Sequence, residues 1–128
     1  LAGCLAAGSG AVASHRSALA MRGLIEGLQP VEITAPRTSQ PAPQGVVVHR
    51  PTVLRTQDVL ERRGVPITNP LRTLLDAGAV LDPVEVGQCV ELALERRLVT
   101  VKGLRVILAE LGRRGRSGTG NSGSAAGW

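Results

Sequence analysis

The chain contains no phenylalanine and no tyrosine, and its single tryptophan, Trp128, is the last of 128 residues. A core must therefore be built from Leu, Val, Ile and Ala. At 43% apolar residues the chain has enough of these to fill the interior of one domain of ordinary size. The same deficit excludes a class of function. Readers of single-stranded RNA or DNA stack bases on aromatic side chains, and this chain has no such platform. An RRM-like or OB-like reader is not expected.

The formal charge of +5 is unevenly spread. Residues 1–98 carry ten basic and nine acidic groups, a net of +1. Residues 99–128 carry five basic groups (Lys102, Arg105, Arg113, Arg114, Arg116) against Glu110, a net of +4. A localised basic end can meet phosphate or an acidic partner, or can simply be a solvated tail. Cys4 and Cys89 are far apart and lack metal-ligand spacing, which argues against a disulfide scaffold or zinc site and fits a reducing cytoplasm. No apolar run approaches the ~20 residues needed to cross a bilayer. The opening "LAGCLAAGSGAVA" has no charged leader and reads as a start inside a longer protein.

Along the chain, "LAGCLAAG" reads as the end of a helix, stopped at Gly8 and Gly10. "SHRSALAMRGL" starts a second helix with Ser14 as N-cap and Gly23 as its end. "VEITAP" alternates as a half-buried strand, and "RTSQPAPQG" is a Pro-rich loop. "VVVHR" is a strand, and "DVLERRGVPIT" is a hairpin turning at Gly64, with Pro66 requiring an edge or a bulge. Three helices follow. The first is capped by Asn69 or Thr68, with Pro70 at its first position and Leu71, Leu74 and Leu75 on its apolar face. The second has Asp82 and Glu85 as a capping box and a stripe of Val86, Cys89, Val90, Ala93 and Leu94. The third starts at Thr100, carries Leu104, Ile107, Leu108 and Leu111, and stops at Gly112. The expected fold is α+β: two helices, a small, mostly antiparallel sheet of about four strands, then three helices. It forms one domain over 1–112, with 113–128 as a basic, then Gly/Ser-rich linker or disordered tail.

The residues that could carry chemistry are few. His15 and His49 form neither HxH nor HExxH, so a metal site would need both histidines and Asp76 or Asp58 from distant segments. The expectation is two structural histidines and no metal or cofactor. The only lysine, Lys102, has Thr100 where an E-x-K nuclease pair would require Glu. No nucleophile elbow or phosphate loop is present, so no catalysis is expected from these residues alone. The binding candidates are arginines. Arg113, Arg114 and Arg116 come first, since helix-dipole complementarity accounts for Arg113 more readily than for Arg116. Arg16 and Arg22 on the second helix come next, against the reading of a plain amphipathic helix. Arg62 and Arg63 are taken as solvated turn residues.

Six stretches together carry a family resemblance: "GAVASHRSALAMRGL", "VEITAP", "GVVVHR", "GVPITNPLRTLLDAGAVLD", "VELALERRLVTVKGL" and "LGRRGRSGTG". In this order they resemble a segment of bacterial AbiEi-like type IV antitoxins and transcriptional regulators. A similar segment precedes the nuclease domain of proteins related to very-short-patch-repair endonucleases. The resemblance covers about residues 1–120. It implies a winged-helix DNA-binding domain upstream and, in the nuclease-bearing members, a restriction-like domain downstream. It therefore implies a non-catalytic connecting or antitoxin domain of a cytoplasmic, DNA-associated regulator, with DNA and a toxin as partners and no membrane or small-molecule substrate. The rival reading is the accessory region of an endonuclease whose catalytic domain lies outside this chain. A third is an oligomerisation domain.

Overall fold

A computed structural model describes residues 10–27, 29–36, 44–50 and 53–118, with 112–118 as helix backbone. The fold is α+β. In chain order it runs β1 (Val12–Ala13), α1 (His15–Met21), β2 (Val31–Thr34), β3 (Val46–His49), a 3-10 turn (Thr56–Asp58), β4 (Val59–Arg62), β5 (Val65–Thr68), α2 (Pro70–Ala77), α3 (Pro83–Glu95) and α4 (Val101–Gly118). The helix read at residues 1–8 lies outside the described residues, as do Cys4, most of the Pro-rich loop and the chain after Gly118.

The five strands form one sheet in the order β3-β2-β1-β5-β4. β1–β2 and β4–β5 pair antiparallel, whereas β1–β5 and β2–β3 pair parallel. The sheet is thus mixed, not mostly antiparallel, and has five strands, not four. The extra strand is β1, which sits at its centre. Two residues are too few to show any alternation, so nothing in the sequence separated Val12–Ala13 from the preceding loop.

The β4–β5 hairpin turns as expected. Arg63 and Gly64 both have positive φ, 53° and 79°, the signature of the two-residue turn that matches strand twist. Pro66 pairs with Glu61 in β5, which is an interior strand. It needs neither a sheet edge nor a bulge. Arg62↔Val65 closes the turn, so the next pair is non-hydrogen-bonded and residue 66 offers nothing to β4. On its other side β5 meets β1 only at Ile67.

Two apolar clusters fill the interior. Ala13, Ile33 and Ile67 of the sheet, with Ala11 just before it, pack with Ala18 of α1, flanked by Val31, Val46, Val48 and Val65. Leu19 of α1 meets Leu74, Ala77, Cys89, Ala93 and Val99 in the other, which binds the helices together. Helix α1 thus contributes to both clusters. Its C-terminus closes as a Schellman motif: Leu24 N–H bonds to Leu19 O at 2.9 Å and Gly23 N–H to Ala20 O at 3.0 Å, with Gly23 at φ 73°.

The caps of the later helices follow the sequence. Asn69 accepts from the Arg72 amide at 2.7 Å. Asp82 accepts from the Glu85 amide at 2.8 Å, and Glu85 returns a bond from the Asp82 amide at 3.2 Å. Asp82→Ala is expected to cost about 1 kcal/mol in chemical denaturation, the usual value of a lost N-cap. Two expectations are corrected. The Ser14 hydroxyl does not cap α1; it bonds instead to Thr34 Oγ1 and His15 Nδ1, each at 2.8 Å. Helix α4 does not stop at Gly112 but continues to Gly118, and Leu108, assigned to its apolar stripe, is 55% exposed.

Candidate nucleic-acid interface

Helix α4 begins where Thr100 Oγ1 accepts from the Gly103 amide at 3.0 Å. Gly103 lets it lie close on α2, since a Cβ there would meet both Leu71 methyl groups at 3.4 Å. Ile107 and Leu111 are buried and Leu104 is half-buried, which fixes the inward face. At about 100° per residue, positions 102, 105, 113 and 116 fall within roughly 80° of arc on the opposite face. Lys102 and Arg105 there are exposed, and neither has an ion-pair partner among the described residues. Position 114 lies off this face.

The single carboxylate of α4 is already engaged. Glu110 receives Arg55 Nη1 at 2.6 Å, while Arg55 Nη2 donates to Asp58 at 2.7 Å. Hydrogen bonding to Asp58 raises the Arg55 guanidinium above its ordinary pKa, with Glu110 adding to the effect against the opposing cost of burial. Helix α4 is therefore tied to the 3-10 turn on one side and left with uncompensated positive charge on the other. Positions 113, 114 and 116 are all helical.

The N-terminal arginines have internal duties. Arg16 donates to Glu32 Oε1 at 3.2 Å and to Val80 O at 2.6 Å. Arg22 Nη2 donates to Thr68 O at 2.7 Å. Arg16 thus ties α1 to the turn after α2, and Arg22, just past α1, reaches the end of β5; neither lies on α4.

The two histidines, which no local motif connects, are brought together. Their rings stack with centroids 3.6 Å apart and an interplanar angle of 13°. The register explains it: Thr34 pairs with His49 on β3, and Thr34 holds Ser14, the neighbour of His15. His49 Nε2 lies 2.7 Å from Glu32 Oε2, and Glu32 is fully buried. Burial first, then the charges of His49, Arg72 and Arg16, lowers the His15 pKa to about 3.

A second polar knot lies beside this one. Asp58, also fully buried, receives Arg55 at 2.7 Å and Arg72 at 3.1 Å, and Arg72 also reaches Asp76 at 3.0 Å. Burial acts to raise the Asp58 pKa, but the Arg55 hydrogen bonds and the charges of Arg72 and Arg55 outweigh it and hold the carboxyl below its usual range. Burial wins at Asp76, whose pKa is raised despite Arg72. Among the described residues no three His, Cys, Asp or Glu side chains are grouped to hold a metal. The buried carboxylates face guanidinium groups instead.

Cys89 is a buried, unpaired thiol 3.6 Å from Leu24 O, raised in pKa by burial and then by Glu85. No helix among the described residues is long and apolar enough to cross a membrane. No protein-family model and no curated protein matches the chain.

Proposed function

We propose that this chain is a non-catalytic α+β domain of a DNA-associated regulator of the AbiEi-like antitoxin kind, and that it meets duplex phosphates through the polar face of α4. The observation that supports this most is the continuation of α4 to Gly118. It aligns positions 113 and 116 with Lys102 and Arg105 over about 21 Å, at ~1.5 Å rise per residue. The only acidic residue of that helix, Glu110, is satisfied by Arg55. Arg113 and Arg116 are the leading contacts, and Arg114, whose position lies off this face, ranks behind them. Arg22 ranks next, and Arg16, already facing Glu32, comes last. The resemblance to antitoxins makes a toxin the protein partner in this reading, within the cytoplasm.

Each phosphate contact releases counterions, so affinity for duplex DNA should fall linearly on a log–log plot against salt. If the four aligned positions all engage, changing Lys102, Arg105, Arg113 and Arg116 to Gln reduces the slope by about 3.6, at ~0.9 per contact. Fluorescence anisotropy with a labelled duplex, from low to moderate salt, reads this directly. An unchanged slope in a folded variant refutes the α4 contact.

A further inference from the structure

A separate group of arginines gathers at the C-terminal end of α1. Arg62 of β4 donates from Nη1 to Met21 O at 3.1 Å. Arg96, just past α3, donates from Nη1 to Gly23 O at 3.1 Å. Arg22 lies between those two carbonyls in the chain and points to Thr68 O. Two guanidiniums from distant parts of the chain thus reach one helix end, and Arg22, just past that end, carries a third. Each has five N–H donors, and the contacts to these carbonyls use one from each.

Complementarity to the helix dipole explains one cation at such a place. It does not explain three without a counter-charge. Glu26, Glu61 and Glu95 flank the group in sequence, yet none of the ion pairs among the described residues involves Arg22, Arg62 or Arg96. The Arg22 Nε atom is buried and has no hydrogen-bond partner, the one such side-chain atom among the described residues. Its guanidinium is pushed below its ordinary pKa by burial and then by the like charge of Arg62.

The rim of the group adds two more arginines. Arg63 and Arg97 follow Arg62 and Arg96 directly, are exposed, and hold φ values of 53° and 60°. Both stand at left-handed positions, in a hairpin turn and just past a helix end, where Gly or Asn would sit with less strain. Arginine at both keeps positive charge where backbone conformation alone would choose another residue.

We propose that Arg22, Arg62 and Arg96, with Arg63 and Arg97 at the rim, form a second phosphate-contact surface that takes the backbone of a DNA duplex. It shares Arg22 and the class of partner with the proposed function, but none of its residues lies on α4, and neither test variant alters Arg22. Arg97 and Lys102 are five residues apart, so the chain separates them by no more than about 18 Å.

The test compares two variants of the chain with the unaltered protein. One carries Arg62→Gln, Arg63→Gln, Arg96→Gln and Arg97→Gln. The other carries Lys102→Gln and Arg105→Gln. Binding of a labelled duplex is measured across salt, and a thermal melt confirms that each variant is folded. The first variant is expected to lose up to about 3.6 from the slope, and at least about 0.9, at ~0.9 per phosphate released. The second is expected to lose at most about 1.8. A slope lost only in the α4 variant overturns this proposal and leaves the α4 reading standing. A slope lost only in the hairpin-and-loop variant does the reverse. Should the first variant fail to fold, Arg63→Gln with Arg97→Gln removes two rim charges without touching the carbonyl contacts, and must lower the slope by about 0.9 or more. Inorganic phosphate is titrated in parallel. Saturable binding of free phosphate with an unchanged duplex slope in the first variant would overturn the duplex assignment.

Discussion

Replacing Glu32 with alanine is expected to remove about 3–5 kcal/mol of stability, because it leaves two partners of a buried charge without their acceptor. Glu32 is fully buried and receives the Arg16 guanidinium, the Arg16 amide at 3.1 Å and the His49 ring. It joins β2, the start of α1 and the end of β3 at one point. Glu32→Gln should cost less, since its carbonyl oxygen can still accept from the Arg16 amide while the charge pairing is lost. Urea denaturation of the two variants measures both. A loss below about 1 kcal/mol for alanine would mean that Arg16 and His49 are satisfied by water.

The second large effect is a loss of stability in acid. His15 is neutral in the folded chain down to about pH 3, against 6.5 for the ordinary side chain. Between these values the unfolded chain binds a proton that the folded one refuses. Stability therefore falls as pH drops from about 6.5 and levels off below about 3. At 1.36 kcal/mol per pKa unit the full change is at most about 5 kcal/mol, comparable to the whole stability of a marginal domain. Asp58, held below its usual range, adds to the loss at the acid end of the window. Asp76, raised by burial, works in the opposite direction and blunts it. His15→Asn removes the titrating ring and keeps a residue that tolerates the positive φ of 52° at this position. Its stability should be flatter between pH 6.5 and 4 than that of the unaltered chain. Equal slopes in denaturation series across that range would show that His15 is not the group responsible.

What the sequence revealed and what it hid divide along physical lines. The caps at Asn69, Asp82 and Thr100 and the hairpin at Gly64 were readable because each is settled within a few residues by backbone hydrogen bonding or φ. The central strand was not, because Val12–Ala13 acquires its conformation from partners at Ile33, Thr34 and Ile67. The extension of α4 was hidden for a different reason. Gly112 and Gly115 have the propensity of helix stops, and local propensity is a weak guide over an 18-residue helix anchored by Ile107 and Leu111. Arg62 looked like a solvated turn residue, and its bond to Met21 O spans 41 positions. Nor could any spacing rule have stacked His15 on His49, since their meeting depends on the register of β2 against β3.

The brevity of β1 has a consequence for how the chain is made. Val12 and Ala13 leave the ribosome well before Ile67, the residue that joins the two halves of the sheet through Ala13. At the usual ~5–20 residues per second that interval is roughly 3–11 s. During it α1, β2 and β3 can associate around one side of β1, while the other side stays unmatched. The β4–β5 hairpin, by contrast, is local and closes within microseconds of emerging. The sheet is then completed by the docking of a ready-made hairpin onto a waiting two-residue seam, a non-local contact of the kind that sets the pace of folding.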